Sequence, residues 1–163
     1  MDPVPAHIVE KTWQEMGGLS ERDIPKLIQM MQRKQPELLA YLLMVDEGDL
    51  HEDERELLVY LGVAVWQMMS QGKKRRPVVA FDALIAAEDR NLELIEQLQV
   101  QGSKPASFVA MAMKMVESYR QREVLRYVVE ALIEESDEGP PVREESLGLL
   151  FIDLKTVIDA LDA

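Results

Sequence analysis

The chain contains no cysteine in its 163 residues. That removes disulfides, thiolate metal ligands and a cysteine nucleophile, and it fits an expected cytoplasmic location. Histidine is almost as scarce, with only His7 and His51. No run approaches the roughly 18 apolar residues of a membrane span. The opening Met1-Asp2-Pro3-Val4-Pro5 lacks a basic stretch followed by an apolar core, so it is not expected to act as a signal peptide. No segment alternates apolar and polar residues long enough to predict a strand, and the hairpin dipeptides Asn-Gly and Asp-Gly are missing. The Gly-x-Ser-x-Gly elbow, the phosphate loop, the dinucleotide fingerprint and zinc-ligand spacings are missing too. No catalytic residue, metal ligand or cofactor is assigned, and the balance leans away from an enzyme.

What is present is acid. The net charge is −12, and it is concentrated in two places. Residues 46–56 hold Asp46, Glu47, Asp49, Glu52, Asp53, Glu54 and Glu56 against Arg55. Residues 134–145 hold Glu134, Glu135, Asp137, Glu138, Glu144 and Glu145 against Arg143. Such charge repels phosphate, which disfavours nucleic acid and anionic membrane surfaces as partners.

The remainder reads as helix. Residues 5–16 put Ile8, Val9, Thr12, Trp13 and Met16 on one face, and Gly17-Gly18 stops them, a pair suited to left-handed backbone. Ser20 is the predicted N-cap of a second helix, with Asp23 near its first-turn amides. Pro36 breaks that helix and starts a short third one ending near Gly48. Residues 52–71 form a fourth helix, apolar on most sides after an acidic first turn. A fifth, over 79–100, is predicted to bury Phe81, Leu84, Ile85, Leu92, Ile95 and Leu98. From 106 to 135 the apolar stripe loses phase near Arg120, which predicts a kink or break there. Residues 136–142 read as a loop, and a last helix over 143–161 buries Leu147, Leu150, Leu154, Val157, Ile158 and Leu161. The expected fold is all-α, a bundle of seven to eight helices.

The chain also repeats itself. Gln35-Pro36-Glu37-Leu38-Leu39-Ala40-Tyr41-Leu42-Leu43 aligns with Gln121-Arg122-Glu123-Val124-Leu125-Arg126-Tyr127-Val128-Val129, four positions identical and three exchanging Leu for Val. Asp46-Glu47-Gly48 and Asp137-Glu138-Gly139 then follow, each leading to an apolar helix. The pattern predicts a tandem duplication of a helical unit of about 75 residues, too small to bury much surface alone. The units would cover 1–72 and 79–163, with a basic connector at 73–78 containing Lys73, Lys74, Arg75 and Arg76. That cluster has no interleaved aromatics and reads as a solvated linker.

Two functional expectations follow. The preferred one is a non-enzymatic interaction protein whose acidic segments, through Asp46, Glu47, Asp49, Glu52, Asp53, Glu54, Glu134, Glu135, Asp137, Glu138, Glu144 and Glu145, engage a basic protein partner. The alternative is an enzyme or small-ligand binder with a pocket between the two units. His51, set among carboxylates, is a weaker candidate for a divalent metal, because its spacing matches neither a calcium loop nor a di-iron motif. The ten methionines sit at helical spacing beside Leu and Val and read mainly as core. The apolar fourth helix leaves self-association open.

Overall fold

The computed structural model describes residues 2–71, 77–100, 105–138 and 142–163, with side chains at all of these except 95, 97–100, 105–107 and 135–138. The basic cluster at 73–76 lies outside the described residues. Among them the chain forms eight α-helices and no strand: α1 (Ala6–Gly17), α2 (Asp23–Lys34), α3 (Pro36–Met44), α4 (Glu52–Ser70), α5 (Phe81–Val100), α6 (Pro105–Ser118), α7 (Arg122–Glu138) and α8 (Glu144–Asp162). No described helix is long and apolar enough to cross a membrane.

Local chemistry sets most boundaries. Pro36 is the first residue of α3, where a missing amide costs nothing because that donor has no intrahelical partner. The phase slip near Arg120 is a real break between α6 and α7. Three expectations are corrected. Gly18 ends α1 with φ −88°, donating to the Gln14 and Glu15 carbonyls, so the pair does not use left-handed backbone. Ser20 does not cap α2 by accepting; its N–H and hydroxyl both donate to Asp23, and the helix begins at Asp23. The left-handed positions lie instead in the α3–α4 turn, at Gly48 (φ 88°) and at Asp46 (φ 56°), an aspartate tolerating what most side chains resist. Finally, α7 runs on to Glu138, so Asp137 and Glu138 belong to its last turn rather than to a loop.

The core is built on α4 and α8, which pack against each other and are apolar nearly all round. All six inward residues expected on the last helix are buried. Against this pair lie α1 on α4 and α5 on α8, with α3 and α7 closing the sides. At Gly62 of α4 the backbone passes so close to α3 that an added Cβ would sit 2.5 Å from Leu42 Cδ1. Glycine is the residue that allows this crossing.

The buried face of α5 differs from the expected one. Leu84, Ala87 and Asn91 point inward, while Phe81, Ile85 and Leu92 are exposed; Ile95 and Leu98 lie outside the described side chains. The reason is a polar ladder against α8. Asn91 Nδ2 donates to Thr156 Oγ1 and to Asp159 Oδ2, each at 3.0 Å, and Asn91 Oδ1 accepts from Lys155 at 2.9 Å. Tyr119 donates a further bond to Asp159. Buried polar groups with complete partners fix the helix rotation as firmly as an apolar stripe does.

Two buried glutamines, the first residues of the repeated segments, make matching bonds. Gln35 Oε1 accepts from the Val79 N–H (2.8 Å) and its Nε2 donates to the Pro77 carbonyl (3.1 Å). Gln121 Oε1 accepts from the Val4 N–H (2.9 Å) and its Nε2 donates to the Asp2 carbonyl (3.2 Å). Val79 stands two residues before α5 and Val4 two residues before α1. Each glutamine thus ties down the extended lead-in to a helix from the other half of the chain.

Candidate functional site

The N-termini of α4 and α8 meet, and Glu54 and Arg143 join them. Glu54 is the third residue of α4 and accepts from the N–H of the N-cap residue His51 at 2.8 Å, half of a capping box. Its carboxylate also accepts from the Arg143 backbone N–H (3.1 Å) and from Arg143 Nη2 (2.8 Å). Arg143 Nη2 donates in addition to the Asp49 carbonyl (2.7 Å), and Nη1 to Glu145 (2.6 Å). Burial alone would raise the Glu54 carboxyl, but the bonds from Arg143 and His51 outweigh it and hold the group at about 2.

This clamp decides how the acidic segments stand. It brings residues 49–56 against residues 143–145, at one end of the α4–α8 pair. Glu47, Asp49, Glu52, Asp53, Glu56, Glu144 and Glu145 are exposed there. Glu54 is a correction: it is buried and engaged by Arg143, so it is not presented to a partner. Asp46 is half-buried and turns inward. Glu134 is exposed on α7, and Glu135, Asp137 and Glu138 have side chains outside the described set. These last four sit in the final turns of α7, which carries no basic residue there. That is the negative end of the helix dipole, where carboxylates are disfavoured. Capping therefore explains the first-turn acids of α4 and α8 but not those of α7.

Beside the clamp lies a half-open apolar groove of about 730 Å³. Ile24 and Ile28 of α2 and Leu57 and Val63 of α4 line it, together with Met16 of α1, Leu43 of α3 and Val142. His51, Asp53 and Glu56 stand at its rim, all exposed. The groove exists because α2 is only partly covered. Of its apolar residues Met31 alone is fully buried, while Ile24, Leu27, Ile28 and Met30 keep part of their surface. A smaller crevice of about 310 Å³ runs between α1 and α7, where half-exposed Trp13 faces a wall bearing Glu123, Glu130 and Glu134. Trp13 was expected inside on the stripe of α1; Val9, Thr12 and Met16 occupy that core face without it.

A third cluster is internal. Asp153 of α8 is 3% exposed, inside an otherwise apolar stretch. Asp46 of the α3–α4 turn stands against it, and Glu88 of α5 and Arg55 of α4 stand near. Tyr41 of α3 donates to Glu88 at 3.4 Å. Burial, then the neighbouring Asp46, push the Asp153 carboxyl up to about 10, and burial likewise raises Glu88. Asp46 Oδ2 and Asp153 Oδ2 have no hydrogen-bond partner, so a proton kept on Asp153 is what makes the pair tolerable. Neither cavity described above is lined by these carboxylates. Among the described residues no three His, Asp or Glu side chains converge as a metal ion requires, His51 included.

Arg143, Asp153, Glu88 and Trp13 were not singled out from the sequence as site residues. Only Asp153 carried a local signal, a lone acid within Leu150-Phe151-Ile152-Asp153-Leu154. No family model, curated protein or solved structure matches the chain.

Proposed function

We propose that this protein is a non-enzymatic interaction module of the cytoplasm that docks a basic protein partner on its acidic end. The observation that carries the proposal is the Glu54–Arg143 clamp, which gathers exposed carboxylates from two distant stretches of chain onto one end of the α4–α8 pair. Carboxylates so gathered repel one another, a cost that a cationic partner relieves, and their field speeds association with it. The acids in the last turns of α7, placed against the helix dipole, support the same reading. The test is a variant with Asp49, Glu52, Asp53, Glu56, Glu144 and Glu145 changed to their amides, leaving Glu54 and Arg143 intact. It is expected to lose the partner that the native protein captures at low salt. Equal capture by both proteins would remove the proposal.

We propose further that residues 1–72 and 79–163 are related units, joined at 73–78. The reciprocal Gln35 and Gln121 bonds support this, since equivalent residues of the repeat grip equivalent lead-ins of opposite halves. A second functional reading, a small-ligand binder or enzyme, draws support from the groove, whose size lies within the usual range for such sites, although all its lining residues but Val142 belong to residues 1–72 and not to a seam between the two units. Its test is a thermal-shift screen of small apolar compounds. The apolar surface of α4, on which self-association was expected, is mostly buried within the chain; self-association would instead use the exposed Val78, Phe81, Ile85 and Leu92 of the α5 side, and sedimentation at rising concentration tests it.

A further inference from the structure

We infer that the groove between α2 and α4 receives the apolar face of a basic amphipathic helix. This rests on the acidic-docking reading and names the form the partner takes at that end of the molecule.

The floor and the rim ask for different chemistry. Partly exposed Ile24, Ile28 and Leu57 offer an uncharged trough, and Leu43, which also lines it, is 53% exposed, a large apolar side chain left in water. Covering the apolar surface that these residues leave exposed is favourable, so an occupant with aliphatic side chains gains from the trough. The rim carries Asp53 and Glu56, with Glu52 and Asp49 just upstream. Arg55, the one arginine or lysine among the described residues that line the groove, gives its Nη1 to the Leu42 carbonyl at 2.9 Å. An acidic or neutral occupant would face uncompensated carboxylates, and a purely basic, polar occupant would leave the trough wet. Only a segment with separate apolar and cationic faces satisfies both.

Secondary structure narrows the form. The described residues contain no strand, so there is no sheet edge to extend with a peptide strand. Polyproline ligands dock between exposed aromatics, and Tyr60, the one aromatic among the described residues that line the groove, is partly covered. Helices supply nearly all of the groove's lining, Met16 of α1, Ile24 and Ile28 of α2, Leu43 of α3 and Leu57 of α4 among them, and an apolar groove between helices is the setting for a further helix, read through anchors at i, i+3, i+4 and i+7.

The experiment uses the full chain and two labelled synthetic peptides of about 18 residues, long enough for helix to form on binding. One places Leu and Lys on opposite helix faces. The other has the same composition, scrambled so that no apolar face exists. Fluorescence anisotropy at low and moderate salt gives the affinities. The patterned peptide is expected to bind about tenfold or more tightly than the scrambled one, as burial of even one or two leucines requires. Ile28→Gln and Leu43→Gln should erase that difference; Leu43 is exposed, so the second variant keeps the test sound if the first perturbs folding. Asp53→Asn with Glu56→Gln should weaken both peptides. Equal binding of the two peptides, unaffected by the groove variants but weakened by the rim variant, would overturn the groove and leave the acidic docking surface standing. Binding of neither peptide at low salt would overturn both.

Discussion

Replacing Asp153 with asparagine should stabilise the protein, and increasingly so as pH rises. In the folded chain Asp153 is 3% exposed and keeps its proton through neutrality, its carboxyl pushed up by burial and by Asp46. In the unfolded chain it ionises in the ordinary range, near 3.8. Between those limits the native state binds one more proton than the unfolded state, so native stability falls with pH, by about 1.4 kcal/mol per unit for that proton. Asparagine has nearly the shape of the neutral carboxyl and can donate to Asp46 with no proton to lose. From about pH 5 to about pH 8 the variant should therefore gain about 4 kcal/mol relative to the native protein. That is a large share of the 5–15 kcal/mol typical of a domain. Glu88, also raised, is present in both proteins and cancels in the comparison. Glu54, held at about 2, titrates below this window. The assay is urea unfolding followed by circular dichroism at several pH values. Parallel stability curves for the two proteins would refute the account of Asp153 as a buried, protonated carboxyl.

Glu54→Gln should cost about 2 kcal/mol, less than for a fully buried pair because Arg143 keeps about a third of its surface in water. Because the folded Glu54 carboxyl is held at about 2, below its usual 4.5, its stabilisation is present above 4.5 and lost as pH falls toward 2; acid unfolding of the variant should lack that component. Gln35→Ala should leave the Val79 N–H and Pro77 carbonyl without partners, costing about 1–3 kcal/mol and speeding amide exchange at Val79, with Gln121→Ala doing the same at Val4. Unchanged exchange at both sites would show the two bonds to be dispensable. Gly62→Ala should destabilise by about 1–2 kcal/mol in thermal unfolding: overpacking against fully buried Leu42 exceeds the gain in helix propensity.

Much of the fold was legible because its signals are local. Pro36, Gly48 and the phase slip near Arg120 mark chain breaks by steric rules that hold whatever the surroundings. The buried face of the last helix was legible because nearly every stripe position is Leu, Val or Ile. The face of α5 was not, since Asn91 turns inward to partners about 65 residues away in sequence, and an apolar stripe carries no record of them. The acidic segments stood out by composition alone. That Glu54 belongs to the interior depended on Arg143, which in sequence is only an arginine beside acids. Asp153 could have been flagged, because a lone carboxylate in an apolar run must be either paired or protonated.

The acidic docking surface is tested most directly by the salt dependence of partner binding. The partner captured at low salt would be titrated into the native protein and into the amide variant of the six exposed carboxylates, over a series of salt concentrations. The account expects native affinity to fall steeply with salt, and the variant to bind weakly with little salt dependence. Equal affinities with the same salt response in both proteins would contradict it.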